Sequence, residues 1–153
     1  MFVVALASVG ACSPPTPETL PPIAYEGEVV LFPSTVVGCY HVASLEWPSP
    51  EGARWAKLVP ATFELSDAPR DDSVPHFRRV IAAEPSLRLG IWTLNDQREL
   101  IVHISGLVGV QLVLRRRPTD AMFYGRAQPT SDGALPPGVG VGAVQVKKAA
   151  CER

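Results

Sequence analysis

The sequence has little of what marks an enzyme or a nucleic-acid-binding domain. Its 153 residues carry a formal net charge of −1 and a pI near 6.3, so there is no basic excess of the kind that attracts nucleic acid. It contains no HExxH or CxxC motif, and its three histidines lie in separate segments, which supplies no set of zinc ligands. We therefore predict no nucleic-acid partner, no metal site and no cofactor.

Hydrolase and phosphate-binding motifs are missing as well. Ser105 precedes Gly106, but the first glycine of GxSxG is absent, and the pattern that follows is that of a strand. The glycine-rich residues 133–142 lack the Lys-Ser/Thr pair of a phosphate-binding loop. Asp71 and Asp72 form an acidic pair without the other ligands of a calcium loop. We predict no catalytic residue from these motifs.

Helical stretches are scarce too, because 16 prolines and 12 glycines interrupt the chain. What the sequence does contain is alternation. Apolar and polar residues alternate in three consecutive segments, 99–105, 108–115 and 121–128. A period of two over this length predicts antiparallel strands with one face toward a core. The residues predicted to face that core are Leu100, Val102, Ile104, Val108, Val110, Leu112, Leu114, Ala121, Phe123, Gly125 and Ala127.

Five further strands are predicted around this stretch, at residues 38–42, 61–66, 77–82, 87–92 and 141–148. Residues 29–32 form an optional edge strand, and residues 45–60 are predicted to be a long loop in which Trp47 and Trp55 act as lids or plugs. Eight short strands joined mostly by short turns predict an all-β fold, a single small antiparallel up-and-down barrel. An eight-stranded barrel is either filled by side chains or holds one small ligand.

The N-terminus indicates export. The apolar run at residues 2–9 is too short to span a bilayer and is typical of the end of a secretory signal. The residues Val9-Gly10-Ala11-Cys12 resemble the lipobox of bacterial lipoproteins, in which the cysteine becomes lipidated, although no Lys or Arg precedes the run. The true start would then lie upstream of Met1. The alternatives are an ordinary signal peptide and a buried strand that contains a cysteine.

The predicted organisation is a signal peptide at residues 1–11, a lipidated Cys12 with a Pro-rich tether to residue 37, and a barrel domain at residues 38–153. Pro-rich acidic segments stay extended and act as spacers. By resemblance to lipoproteins, Ser13 after the cysteine favours the outer membrane. We thus predict that the domain is exported and monomeric. Its predicted partner is the membrane, to which the lipid on Cys12 anchors it.

Spaced residues along the domain support a family resemblance. They are Gly38-Cys39-Tyr40, a mid-chain tryptophan, Gly106-Leu107-Val108-Gly109-Val110, Phe123-Tyr124-Gly125-Arg126-Ala127, Asp132 and Cys151. In this order they resemble uncharacterised bacterial envelope lipoproteins with a small lipocalin-like or avidin-like barrel. The resemblance implies a small exported barrel and carries no activity with it, because a fold alone does not define a function.

The cysteine count predicts one disulfide. An exported chain with three cysteines cannot pair all of them within itself, so one thiol must be used in another way. Lipidation of Cys12 leaves Cys39 and Cys151 to form a disulfide. Cys39 is in the first strand of the domain and Cys151 follows the last, and closure of a barrel makes those strands neighbours. An exported domain also lies where a disulfide persists.

Three functions follow from this sequence. The leading one is a non-enzymatic binding domain for a protein partner or for a small apolar ligand. Such a ligand would lie against Tyr40, Phe63, Trp92 and Phe123, which could equally fill the barrel as core. The second is an enzyme with an unrecognised site at the barrel mouth, for which the candidate residues are His41, His103 and Arg126. The third is an assembly module whose outward surface carries Met122, Tyr124 and Trp92.

One basic run stands out in the otherwise balanced sequence. Arg115-Arg116-Arg117 is interpreted as the polar end of a strand before Pro118. Contact with anionic lipid headgroups near a tethered domain is the alternative.

Overall fold

A computed structural model describes residues 29–70, 76–82, 89–105, 108–118 and 121–151. The predicted signal peptide, Cys12 and the first part of the tether lie outside the described residues. Eight antiparallel strands form a closed barrel in which each strand pairs with the next and the last pairs with the first. The predicted all-β up-and-down barrel is therefore confirmed. The strands are β1 Gly38–Glu46, β2 Thr62–Pro69, β3 Arg78–Ala82, β4 Leu89–Leu94, β5 Leu100–Ser105, β6 Val108–Arg116, β7 Met122–Ser131 and β8 Gly142–Ala149.

The central three strands have the predicted register. Val102 of β5 lies opposite Leu112 of β6, and Leu112 lies opposite Ala127 of β7. All three are fully buried, whereas Gln111, one residue earlier on β6, faces outward and is half-buried. Val108 and Ala121 depart from the prediction. Val108 is 48% exposed as the first residue of β6, and Ala121 is exposed just before β7, so both lie at a rim of the barrel.

The side chains of β4 face the opposite way from the prediction that placed Trp92 on the outer surface. Trp92 is fully buried, and its indole Nε1 donates a hydrogen bond to the Ser66 carbonyl oxygen at 2.8 Å. Trp92 pairs directly with Val102, and residues opposite one another on neighbouring strands share a face. Since Val102 faces the core, Trp92 must as well. Ile91 is correspondingly on the outer face and half-buried.

Residues 45–60 are not the loop that was predicted. β1 continues to Glu46 through an irregularity between Val42 and Ser44, and a short helix, α2 Pro50–Ala56, follows. Ser49 caps this helix by accepting a hydrogen bond from the Gly52 amide at 3.0 Å, and Pro50 occupies the first turn. Serine before proline is a common helix start, so a local signal was present.

Helix α2 covers one opening of the barrel. It contacts both β1 and β6, which are three strands apart around the closed sheet, so it must lie across the opening. Trp55 on α2 joins the hydrophobic core at 8% exposure. The Trp47 ring packs so closely on Gly52 and Gly142 that a Cβ at either glycine would come within 3 Å of it. Trp55 thus joins the core at this opening, and Trp47 holds α2 against the start of β8.

The opposite opening is covered by residues 29–37, which the sequence assigned to the tether. The predicted edge strand at 29–32 is not formed: one backbone hydrogen bond joins the Val29 amide to the Arg116 carbonyl oxygen at 3.2 Å, and a short helix, α1 Pro33–Val36, follows. Leu31 and Val36 are at most 1% exposed and belong to the core. Gly38, with φ of 134°, then turns the chain into β1. The packed domain thus includes residues 29–37.

The predicted disulfide is confirmed. Cys39 and Cys151 are bonded, with Cα atoms 5.1 Å apart and a sequence separation of 112 residues. Cys39 pairs with Ala149 of β8, so the bond links the two strands whose pairing closes the barrel. A loop of this length is worth roughly 4–5 kcal/mol in the chain-entropy account. Neither helix in the described part of the chain is long and apolar enough to cross a membrane.

The inside–outside assignment of β6 can be tested with one pair of substitutions. We expect Leu112→Asp to prevent folding, because an unpaired carboxylate in the core costs several kcal/mol. Gln111→Asp, the neighbouring outward position, should cost less than about 1 kcal/mol. Urea denaturation followed by tryptophan fluorescence measures both. Equal destabilisation would show that the register is wrong.

Packing of the N-terminal segment predicts a second contrast. Leu31→Ala should destabilise the domain by about 2–4 kcal/mol, because it leaves a cavity in the core. Val30→Ala, at a position that is 55% exposed, should change stability by less than about 0.5 kcal/mol. Thermal unfolding of the two variants beside the parent decides whether residues 29–37 belong to the fold. An unchanged melting temperature for Leu31→Ala would return them to the tether.

Candidate functional site

Three of the four aromatic residues predicted to bind a ligand meet inside the barrel. Tyr40 stacks on Phe63 and meets Phe123 edge-on, with ring centroids 5.5 Å apart in both pairs. The Tyr40 hydroxyl donates a hydrogen bond to the Val36 carbonyl oxygen. Burial raises the pKa of Tyr40, and the charge of Arg116 lowers it by less, so this hydroxyl stays protonated. The cluster is a packed, internally satisfied core.

The fourth aromatic, Trp92, lies under a charged side chain from the first residue of β3. The Arg78 guanidinium lies 5.1 Å from the centre of its ring, and Arg78 Nε contacts Asp67 Oδ1 at 2.9 Å. All four predicted ligand-binding residues are at most 3% exposed and belong to one continuous core. Their packing supports the alternative interpretation, in which they fill the barrel.

The residues considered for an enzyme are not gathered into one site. His41 is on β1 and His103 on β5, so four strand-to-strand steps separate them in either direction around the barrel. Arg126 is on β7, with β6 between it and His103. Burial lowers the pKa of His103, but no acid or nucleophile is placed beside it by strand pairing: its neighbours are Ile91 and Gln111. Among the described residues, no group of three His, Cys, Asp or Glu side chains could hold a metal ion.

The surface proposed for an assembly module is reduced by the burial of Trp92. Met122 and Tyr124 do face outward on β7, where both are half-buried. The Arg117 guanidinium lies 4.8 Å from the centre of the Tyr124 ring. Two of the three predicted residues thus remain on the outer wall, next to the basic run.

The most elaborate polar arrangement surrounds Glu99, in the connection between β4 and β5. Asn95 donates its side-chain amide to Glu99 Oε2 at 2.7 Å and accepts the Glu99 backbone amide at 2.9 Å. Arg115 Nε approaches Glu99 Oε1 to 2.6 Å. The Glu99 side chain is only 8% exposed. Burial by itself raises the pKa of Glu99, but the hydrogen bonds from Asn95 and Arg115 and the charges of Arg115 and Arg126 bring it below the ordinary value.

A shallow depression of about 110 Å³ lies over this carboxylate. Its lining is formed by Val29, Val30, Gln97, Arg98, Glu99, Arg115 and Arg116. Arg98 adopts a left-handed φ of 59°, and its guanidinium lies 5.7 Å from the centre of the Phe32 ring. Guanidinium groups are therefore set among apolar side chains here, which is the chemistry of an anion-binding surface with an apolar margin.

The two ends of the barrel differ in charge. We call the opening covered by α1 the α1 end and the other opening the α2 end. Each end comprises the connections between strands at that opening and the three residues of every strand that lie nearest to it. Charged residues described at the α1 end are Arg70, Arg78, Arg79, Arg98, Arg115, Arg116, Arg117, Lys147 and Lys148, against Asp67, Asp96 and Glu99. Those described at the α2 end are Arg54 and Lys57, against Glu46, Glu51, Glu64 and Asp132.

Sequence reasoning missed this polarity. Only the run Arg115-Arg116-Arg117 is contiguous, and the other basic residues come from four separate stretches that the fold brings to one rim. Glu99 occupies a polar position at the start of the alternating segment 99–105, but nothing in its neighbours indicated that a carboxylate there would be buried between Asn95 and Arg115.

Comparison with known proteins adds no relative: no protein-family description, no curated protein and no solved structure matches this chain. The resemblance to envelope lipoproteins with a lipocalin-like barrel therefore stays a prediction.

The Glu99 arrangement predicts a pH-dependent contribution to stability. Because the pKa of Glu99 is lowered by folding, its contribution is present above the unfolded pKa near 4.5 and is lost as the pH falls through the folded pKa. Glu99→Gln should therefore cost about 2 kcal/mol at pH 7, since an amide donor would face Asn95 or Arg115. The difference from the parent should shrink below pH 4.

The matched control is Asp96→Asn, which makes the same carboxylate-to-amide change at an exposed position of the same connection. We expect it to leave stability within about 0.5 kcal/mol at every pH. Urea unfolding at pH 3, 4, 5 and 7 measures all three proteins. A Glu99→Gln cost that is constant across this range would contradict the ionised, hydrogen-bonded carboxylate.

Proposed function

We propose that this protein is a non-enzymatic, lipid-anchored domain of the bacterial cell envelope that binds a protein partner with the outside of a rigid barrel. The observation that carries the proposal is the filled and covered interior. Tyr40, Phe63, Trp92 and Phe123 occupy the core, α2 lies across one opening, and residues 29–37 pack over the other. A ligand in the lumen would have to displace one of these covers together with core side chains.

The disulfide supports the extracytoplasmic part of the proposal. A bond between Cys39 and Cys151 persists in an oxidising compartment such as the periplasm and is rare in the cytosol. It leaves Cys12 as the only other cysteine in the chain, which is consistent with a lipid on that residue. Ser13 favours the outer membrane as the destination. A barrel locked in this way loses little conformational entropy on binding, which favours recognition by a preformed surface.

Mass spectrometry of the N-terminal peptide tests the lipid anchor. In a bacterial host, with the native upstream sequence included, we expect the N-terminal peptide of the membrane-associated protein to begin at Cys12 and to carry acyl chains. Cys12→Ser should release the protein from the membrane fraction while the Cys39–Cys151 bond still forms. Cleavage elsewhere, or an unmodified Cys12 in the parent, would overturn the lipoprotein assignment.

Native mass spectrometry of protein purified from its own host separates an external partner from an internal ligand. We expect a monomer mass without a bound small molecule, and a mild cross-linking step before lysis should yield a defined heteromeric complex. A stoichiometric apolar molecule that stays bound in the monomer would instead show that the lumen opens to a ligand.

A further inference from the structure

We propose that the α1 end of the barrel docks on an anionic phospholipid surface, with Phe32 and Val30 at the level of the headgroups and the surrounding arginines on lipid phosphates. This deepens the proposed function, on which it rests for the presence of a nearby membrane. The surface is defined by Val30, Phe32 and the basic residues described at that end. The orientation would point the α2 end away from the membrane.

Charge is the first reason. The described residues at the α1 end include nine Lys or Arg and three Asp or Glu, so the excess already allows for the pairing of Arg78 with Asp67 and of Arg115 with Glu99. The sequence-adjacent residues reduce this excess to one positive charge once Asp71, Asp72, Asp120, Glu26, Glu28, Glu152 and Arg153 are counted as well. The described residues at the α2 end carry a negative excess. A chain with net charge −1 therefore presents one basic pole, and basic residues held close to an anionic bilayer are attracted to it.

The apolar residues at the same end are the second reason. Phe32 is 51% exposed and Val30 is 55% exposed, while Leu31 between them is buried and holds the segment on the barrel. Phe32 lies beneath the Arg98 guanidinium. An exposed aromatic ring among guanidinium groups suits the interface of a membrane, where the ring enters the acyl boundary and the charge meets phosphate. The net charge of −1 over the whole chain disfavours a nucleic acid as the occupant, and the experiments below distinguish a membrane from an acidic protein.

The position of the chain is the third reason. Val29, the first described residue, lies at the α1 end, so the sixteen residues from Ser13 to Glu28 connect this same end to Cys12. Fully extended, a segment of that length reaches at most about 55 Å. With Cys12 lipidated, the tether would hold the basic end near the bilayer at a high effective concentration, so that even weak docking would be populated.

Vesicle binding of the oxidised mature chain, residues 12–153 carrying Cys12→Ser so that no lipid is attached, tests the surface. The probes are vesicles of phosphatidylcholine alone and of phosphatidylcholine with 30% phosphatidylglycerol, at about 0.1 M salt, where screening is moderate. We expect co-sedimentation with the anionic vesicles and its loss at 1 M salt. Binding that is equal for both compositions would overturn the proposal, because it would come from apolar residues elsewhere in the chain.

The charge-matched pair is Arg98→Glu at the α1 end and Arg54→Glu on α2. Both replace an exposed arginine and give the same net charge. We expect Arg98→Glu to weaken binding to anionic vesicles about tenfold or more and Arg54→Glu to weaken it less than threefold. Thermal unfolding shows whether each variant is folded. If the two variants lose binding equally, the attraction is a property of overall charge and the docking surface does not exist.

The apolar pair is Phe32→Ala against Leu135→Ala, an exposed leucine in the connection before β8. Only Phe32→Ala should reduce binding, by about fivefold. If Phe32→Ala binds like the parent and polyglutamate displaces the vesicles, the α1 end recognises an acidic protein instead. The outcomes are separable from the proposed function: vesicle binding with an unmodified Cys12 would overturn the lipoprotein assignment alone, and a lipidated Cys12 without vesicle binding would overturn the docking surface alone.

Discussion

Pairing of the first strand with the last is the constraint on which the rest of this structure depends. Every other strand pair joins neighbours in sequence, so without β1 against β8 the chain would be an open meander with two free edges. Such edges invite pairing with other chains. The Cys39–Cys151 bond lies across this one non-local pair. It joins residues 112 positions apart, so the entropy of closing that loop, the largest closure cost among the strand pairs, is already lost in the unfolded chain.

Closure also determines what the interior can hold. A barrel of eight strands encloses space for side chains or for one small ligand, and here large residues occupy it. The Tyr40 hydroxyl donates a hydrogen bond to the Val36 carbonyl oxygen, and the Trp92 indole N–H donates one to the Ser66 carbonyl oxygen. The polar atoms of these core side chains are therefore satisfied without a ligand or water. Short helices then cover both openings. The chemistry that remains available lies on the outer wall and the rims.

Several features that come from separate parts of the sequence meet at the α1 end. The chain arrives there from the N-terminal side, Leu31 seals the core there, and the β4–β5 connection is held there by the buried Glu99 carboxylate. Glu99 keeps Arg115 in place through a short ion pair, and the resulting surface is basic because the remaining guanidinium groups outnumber the nearby carboxylates. The buried Glu99 carboxylate therefore holds one arginine of a cationic rim in place, whereas the described residues of the α2 end carry a negative excess.

The sequence by itself determined the strand pattern, the inward faces of β5 to β7 and the disulfide pair. Alternation is a property of neighbouring residues, and the two cysteines lie in the first strand and directly after the last strand, which closure of a barrel makes neighbours. Only tertiary structure decided the phase of β4, since both Ile91 and Trp92 are apolar and the choice was made by pairing Trp92 with Val102. It also decided that Leu31 seals an opening and that arginines from separate segments share one rim. Those outcomes depend on which strand ends meet in space, and that is set by barrel closure over more than a hundred residues, beyond the reach of local periodicity.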